Sequence, residues 1–423
     1  MKKTVSMLKD ESGIALMIAI FTVTVLMIIA TEVMYETNVE LIVSSQAVNQ
    51  LKAHYAAKSG VQISLLRIQI YRKAAAMVGN AVPASTLDPI WQTPFAWPPV
   101  VPDETSIADK EQIKKAVKAS SMQGTYFTTI ESEGGKIDVN DLDSPSKVVQ
   151  DSTRQQILEI FTGQMENDQA FGDRFRGYDF GKLVDNLTDW IDADKTSKSG
   201  GSGDEGSMYP DRPNENIPPN APFKTLEELH MVAGMTDELF DLLSSRLTVF
   251  GTKGINVNYA KKDVLMSLSP QITPERADKI IEDRGKKERG PFKDEDDFVQ
   301  YLGTQGITGN PFRENNVLKV PLLFDPEFNF RIRSRGQAGR VQRDITAIVY
   351  DTGKVTSRLQ KFLADQKKDE QAKAGGTQGQ SPDPQAGIGT TSPAAPASAA
   401  KKKDDDKTAS PDTAPNIVYW NEN

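Results

Sequence analysis

Carboxylates supply the most concentrated chemistry in this chain. The run Asp189-Trp190-Ile191-Asp192-Ala193-Asp194 ends a stretch of helical periodicity, a Gly/Ser-rich loop follows, and Asp204-Glu205 stand on its far side. Asp192, Asp194, Asp204 and Glu205 thus bracket a flexible loop with hard oxygen donors, the ligands that calcium takes. The spacing is not that of an EF-hand, and a solvated acidic loop is the alternative on these residues alone. Other chemistry is scarce. The chain has no cysteine, which excludes thiol catalysis, thiolate metal sites and disulfides. His54 and His230 are its only histidines, too few for a multi-histidine zinc site and without a placed partner for a triad. Both are expected at the surface or the core edge. With no Gly-x-Ser-x-Gly elbow either, a hydrolase reading finds no nucleophile, and no enzymatic activity is expected.

The elements that must carry the acidic loop begin with an apolar helix. Residues 14–30 are apolar apart from Thr22 and Thr24, with Lys2, Lys3 and Lys9 before them and Glu32, Glu36 and Glu40 after. That length suffices for a membrane span over 14–31, and the lysines place the N-terminus in the cytoplasm. The helical pattern then continues to residue 73 without proline, unlike a cleavable signal. About 60 residues at 1.5 Å each give a helix roughly 90 Å long. Its lower half must pack on a globular domain.

Beyond the helix, residues 125–130 read as a strand and lead through Gly134-Gly135 to a second at 136–140. Helical patterns fill much of 146–309. The pair at 274–284 and 294–302, with Gly290-Pro291-Phe292 between, is similar to a helix-hairpin-helix unit. Such units grip DNA phosphates, which needs a basic surface. Over 256–302 acidic residues outnumber basic ones ten to nine, and the net charge of the whole chain is −8, so no nucleic-acid partner is expected. Residues 329–335 and 341–350 alternate around a glycine-containing turn and should join the sheet begun near Tyr126. Residues 364–415 lack the apolar content to fold, whereas Ile417-Val418-Tyr419-Trp420 could dock as a terminal strand over 416–423 or serve as an aromatic tag.

The junction Glu11-Ser12-Gly13-Ile14-Ala15-Leu16 resembles a type IV prepilin leader, in which a prepilin peptidase cuts after the glycine and methylates the new first residue. Here that implies a 1–13 leader and a mature N-terminus at Ile14. Most pilins carry glutamate at the fifth mature position, which in this chain is Ile18. A carboxylate in lipid is costly without a partner, and a subunit with nothing above it needs none. The leader joins Lys136-Ile137-Asp138-Val139-Asn140-Asp141-Leu142, the run from Leu187 to Asp194, Leu226-Glu227-Glu228-Leu229, Ile255-Asn256-Val257-Asn258 and Gly290-Pro291-Phe292. Together these resemble the minor pseudopilin K family of type II secretion systems over most of 13–351.

The resemblance implies an α+β fold: a long N-terminal transmembrane helix, and a pilin-like antiparallel sheet domain (74–145 and 310–363) with a large helical, helix-hairpin-helix or SAM-like insertion (146–309). It implies calcium near the acidic loop, with Asp192, Asp194, Asp204 and Glu205 as counterparts. It further implies a pseudopilus tip assembled with minor pseudopilins I and J, together with the major pseudopilin and the inner-membrane assembly platform. The anchor would then lie in the inner membrane and the globular part in the periplasm. A membrane-anchored DNA-uptake protein is the alternative.

Overall fold

The computed structural model describes residues 11–78, 86–101, 105–198, 203–209, 217–286, 288–314, 317–375 and 416–422. The leader up to residue 10 and the segment 376–415 lie outside them. Helix α1 spans Glu11–Val78, and α2 is the single turn Pro89–Gln92. Strand β1 is Phe95–Trp97, α3 is Ile107–Ala119 and β2 is Thr125–Ser132. An inserted unit follows. It contains β3 (Ile137–Asp138), α4 (Lys147–Asn167), α5 (Gln169–Arg174), α6 (Phe180–Ile191), α7 (Asp237–Ser244) and β4 (Leu247–Thr248). It continues with β5 (Ile255–Asn256), α8 (Lys262–Ser267), α9 (Pro274–Gly285) and α10 (Glu295–Thr304). The short strands β6 (Arg313–Glu314), β7 (Val317–Leu318) and β8 (Leu322–Leu323) close it. The chain then returns through β9 (Phe330–Ala338) and β10 (Val341–Val349), forms α11 (Thr352–Gly375) and ends in β11 (Ile417–Glu422).

The main sheet is antiparallel throughout, in the order β1-β2-β9-β10-β11. The hairpin of β9 and β10 turns at Gly339, whose φ of +58° suits glycine. Along β9 the side chains alternate, with Phe330, Ile332, Ser334, Gly336 and Ala338 buried. That face receives α1, whose Ala53, Ala56, Ala57, Gly60 and Ser64 bring the two backbones close. A Cβ on Gly336 would stand 2.0 Å from the Ala53 carbonyl oxygen, and one on Gly60 2.2 Å from Ser334 Oγ. Ser334 Oγ donates to the Ala57 carbonyl at 2.7 Å, and Ser64 and Thr128 share a hydroxyl hydrogen bond of 2.8 Å. Further along, Tyr71, Trp91 and Phe330 meet edge-to-face with centroids 5.2–6.2 Å apart. Among the described residues, nothing packs on the N-terminal part of α1. Its most apolar 18-residue window has a mean hydropathy of 2.7, and it is long and apolar enough to cross a membrane.

The inserted unit is wider than the 146–309 read from helical pattern. Its apolar core begins at Ile137, includes Phe312, and has Leu322 and Phe324 packed against it. The reason is that β3 pairs with β4 and not with the main sheet, and β8 pairs with β5. The unit therefore runs from the end of β2 to the start of β9, both at the end of the sheet that the C-terminal part of α1 reaches. Residues 364–375 also differ from the disorder expected of their composition, because α11 continues through Gly375. Lys, Gln, Glu and Ala favour helix locally even without a core to join.

Two halves of the inserted unit follow one plan. Ile137-Asp138-Val139-Asn140 and Ile255-Asn256-Val257-Asn258 each begin with a two-residue strand that pairs in parallel with one far downstream. Asn140 Oδ1 accepts from the Phe223 N–H at 2.8 Å, while its Nδ2 donates to the Phe223 carbonyl at 3.1 Å and the Val249 carbonyl at 3.4 Å. Asn258 repeats this with Phe292 N–H at 2.8 Å and the carbonyls of Phe292 and Phe324 at 2.9 and 3.4 Å. Each clamped phenylalanine lies in a Pro-Phe-Lys run, and the lysine N–H donates to a carboxylate four residues on, Glu228 at 3.2 Å and Asp297 at 3.0 Å. Truncating either clamp leaves backbone groups unpaired, which costs about 2–3 kcal/mol. Urea unfolding of Asn140→Ala and Asn258→Ala should show losses of that size; a loss below about 0.5 kcal/mol would mean that the clamps are dispensable.

Candidate functional site

The acidic loop is positioned by the end of α6. Leu183, Val184, Leu187, Trp190 and Ile191 bury one face of that helix. Trp190 stacks on Phe223 at 5.8 Å with planes 3° apart, and Tyr209 meets its edge. With the tryptophan fixed, Asp189 and Asp192, one helical turn apart, are held at the C-terminal end of α6. The chain then folds back on itself. Ser197 N–H donates to the Gly203 carbonyl at 3.2 Å, and Glu205 N–H to the Lys195 carbonyl at 3.2 Å. This ribbon swings Glu205 over the helix end, where Asn220 Nδ2 donates to Glu205 Oε2 at 3.1 Å.

Asp189, Asp192 and Glu205 thereby converge, with carboxylate oxygens within 4.8 Å of one another. They are 4%, 4% and 2% exposed, which is rare for acidic groups without compensating partners. Asp189 accepts from Ser197 Oγ at 3.0 Å and from the Lys198 N–H at 3.0 and 3.1 Å. Asp192 Oδ2 pairs with Lys198 Nζ. Asp192 Oδ1 and Glu205 Oε1 are buried and accept no hydrogen bond among the described residues. Burial, then the neighbouring charges of Asp192, Asp189 and Asp194, push the Glu205 carboxyl up to about 7. Burial also raises Asp189 against the donors that face it, and Asp143 is raised by burial and by Asp192. Buried carboxylates repel one another unless a cation or a proton joins them. Two oxygens without donors beside a third carboxylate form a donor set that fits a hard divalent cation.

Of the four carboxylates bracketing the loop, the structure brings Asp192 and Glu205 together and leaves Asp194 and Asp204 facing solvent. Asp194 Oδ1 accepts from the Thr196 N–H at 2.7 Å, shaping the turn, and Asp204 caps the short 3-10 helix Glu205–Met208. Asp189 was legible as the partner of Asp192 only through its i, i+3 spacing on a helix whose opposite face is apolar. The histidines lie elsewhere. His54 Nδ1 faces Glu422 Oε2 at 3.5 Å, and His230 lies on Phe240 with centroids 3.8 Å apart. Gly13, Ile14 and Ile18 sit on the free part of α1, where Ile14 is 63% exposed.

A long apolar N-terminal helix seated on an antiparallel sheet, with a helical unit inserted between two sheet strands, is the architecture of a pilin-like subunit and fits a single-pass membrane anchor. Two adjacent family models match it, both described as type II secretion system (T2SS), protein K, over residues 135–252 and 255–318. The chain belongs to that family, the minor pseudopilins K, which are structural components of the secretion system. The two matches fall on the two halves of the inserted unit. Among solved structures, the fold is similar to a chain in the GspK-GspI-GspJ complex from the enterotoxigenic Escherichia coli Type 2 Secretion System. Identity there is 17%, the TM-score is 0.50, and the match covers 74% of this chain and 94% of that one. A search of curated proteins found no match.

Because Glu205 holds its proton more tightly folded than unfolded, that proton stabilises the fold fully below about pH 4.5. In chelator, stability should therefore fall as pH rises through about 7, and Glu205→Gln should flatten the fall in melting temperature. Excess calcium should raise the melting temperature of the parent at pH 7.5. Asp189→Asn should abolish that rise, and Asp204→Asn should keep it. A calcium response lost in Asp204→Asn but kept in Asp189→Asn would move the site to the outer carboxylates.

Proposed function

We propose that this protein caps the tip of the type II secretion pseudopilus and initiates its assembly together with minor pseudopilins I and J. The observation that carries the reading is the place of the inserted unit. It hangs from the membrane-distal ends of β2 and β9, with Tyr259 donating to Asp88 at 3.0 Å and meeting Trp91 at a tilt, ring centroids 5.7 Å apart. In a fibre of parallel helices, that is the space where the next subunit would stand. The absence of a carboxylate at Ile18 agrees, since a subunit with no neighbour above has no amine to pair.

The filament-facing surface is α1 itself. Opposite the face that Ala53, Ala57, Val61 and Ile68 bury on the sheet, Val48, Leu51, Tyr55, Leu66 and Ile70 are 48–58% exposed. A second apolar stripe of this kind needs cover, and the helices of pseudopilins I and J and of the major pseudopilin would supply it. The related GspK chain was solved in a complex with GspI and GspJ. Processing by prepilin peptidase between Gly13 and Ile14 would release the apolar head of the helix into the fibre. The inner membrane would hold the anchor, the periplasm the sheet and inserted unit, and the assembly platform would extrude the pilus from below. Calcium, held by Asp189, Asp192 and Glu205, would neutralise the acidic cluster and fix the loop over the end of α6.

The lack of native cysteine makes a position test clean. Lys279→Cys introduces a single exposed thiol on α9, and gold attached there should mark one end of each pseudopilus in electron micrographs. Label along the filament length would show a repeating subunit and overturn the tip assignment.

A further inference from the structure

The acidic centre brings its own cation. Lys198 Nζ lies on Asp192 Oδ2, while the backbone N–H of the same residue donates to both oxygens of Asp189. One residue thus links two of the three converging carboxylates. The two ends of the ion pair are unlike. The lysine side chain is 43% exposed and that of Asp192 only 5%, so the ammonium reaches in from water toward a fixed, buried oxygen. Asp192 and Glu205 converge in the same cluster, and among the described residues Asp192 Oδ1 and Glu205 Oε1 have no donor of their own.

We propose that Lys198 is a tethered competitor for the cation site, neutralising Asp192 until a divalent cation displaces its ammonium into solvent. The inference rests on the calcium reading given above. A divalent ion bound among these carboxylates and an ammonium on Asp192 would stand a few ångströms apart, and water screens little of that repulsion at a part-buried site. The ammonium is the one that yields, because it is strongly hydrated and sits on a flexible stem already open to water. Its backbone N–H stays on Asp189, so the tether survives the exchange. Ion affinity is then set below what the carboxylates alone would give, because a bound ion must first displace the Lys198 ammonium from Asp192.

The test is a calcium titration of the full-length, chelator-treated protein in detergent, followed by calorimetry. Lys198→Met keeps the length of the side chain and removes its charge, and Lys198→Arg keeps the charge. Lys198→Met should bind calcium about tenfold more tightly than the parent, which is 1.4 kcal/mol, and should melt at a lower temperature in chelator. Lys198→Arg should stay within about twofold of the parent. Lys198→Gln repeats the neutral readout should the methionine variant fail to fold. Unchanged or weaker binding in the neutral variants, with the parent still binding, would overturn the competitor and leave the calcium site standing. No binding by parent or variant would remove the calcium reading and this inference with it.

Discussion

The seating of α1 on the sheet is the contact from which the rest of the molecule takes its geometry. Gly60 lies against Ser334, and Gly336 lies against the backbone of Ala53 and Ala57, at distances that no side chain beyond hydrogen would tolerate. Dispersion is gained only at contact, and small residues let it be gained along a continuous seam. The seam fixes the helix axis on the sheet. It also decides which face of the helix stays free, because residues buried on one side leave Leu51, Tyr55 and Leu66 on the other. One helix is therefore a core element in its C-terminal half, while its apolar N-terminal half stands clear of the described fold. The aromatic cluster of Tyr71, Trp91 and Phe330 ends the seam at the point where the inserted unit begins.

The inserted unit repeats a local solution and then changes its purpose. In both halves an asparagine clamps the backbone of a phenylalanine, and a planar side chain lies over the ring of that phenylalanine. In the second half the partner is Arg289, 4.5 Å from the Phe292 ring centroid and ion-paired with Asp297 at 2.9 Å. In the first half it is Trp190, and the loop that follows carries the acidic cluster. The second half is thus closed by a guanidinium from its own chain. The first half gathers carboxylates whose charge Lys198 balances only in part.

Much of this was readable from local pattern. The long helix declared itself by uninterrupted periodicity, the hairpin of β9 and β10 by alternation around a glycine-containing turn, and α9 and α10 by the helical patterns at 274–284 and 294–302. What local pattern could not show was pairing across distance. Strands β3 and β5 are two residues long, and their partners lie far downstream in sequence, so neither the true extent of the inserted unit nor its duplication could be read before the contacts were known. The acidic site was half legible for the same reason. A charge run shows where carboxylates are dense, but burial selects among them. The stacking of Trp190 and the fold-back of the loop choose Asp189, Asp192 and Glu205 and turn Asp194 and Asp204 outward.

Everything proposed for the fibre depends on α1 beginning with its apolar head exposed to neighbouring helices. Intact-mass and N-terminal peptide analysis of the protein purified from its native membrane tests this most directly. The account predicts a mature chain that starts at methylated Ile14. An unprocessed Met1, or a cut beyond the apolar run, would contradict it.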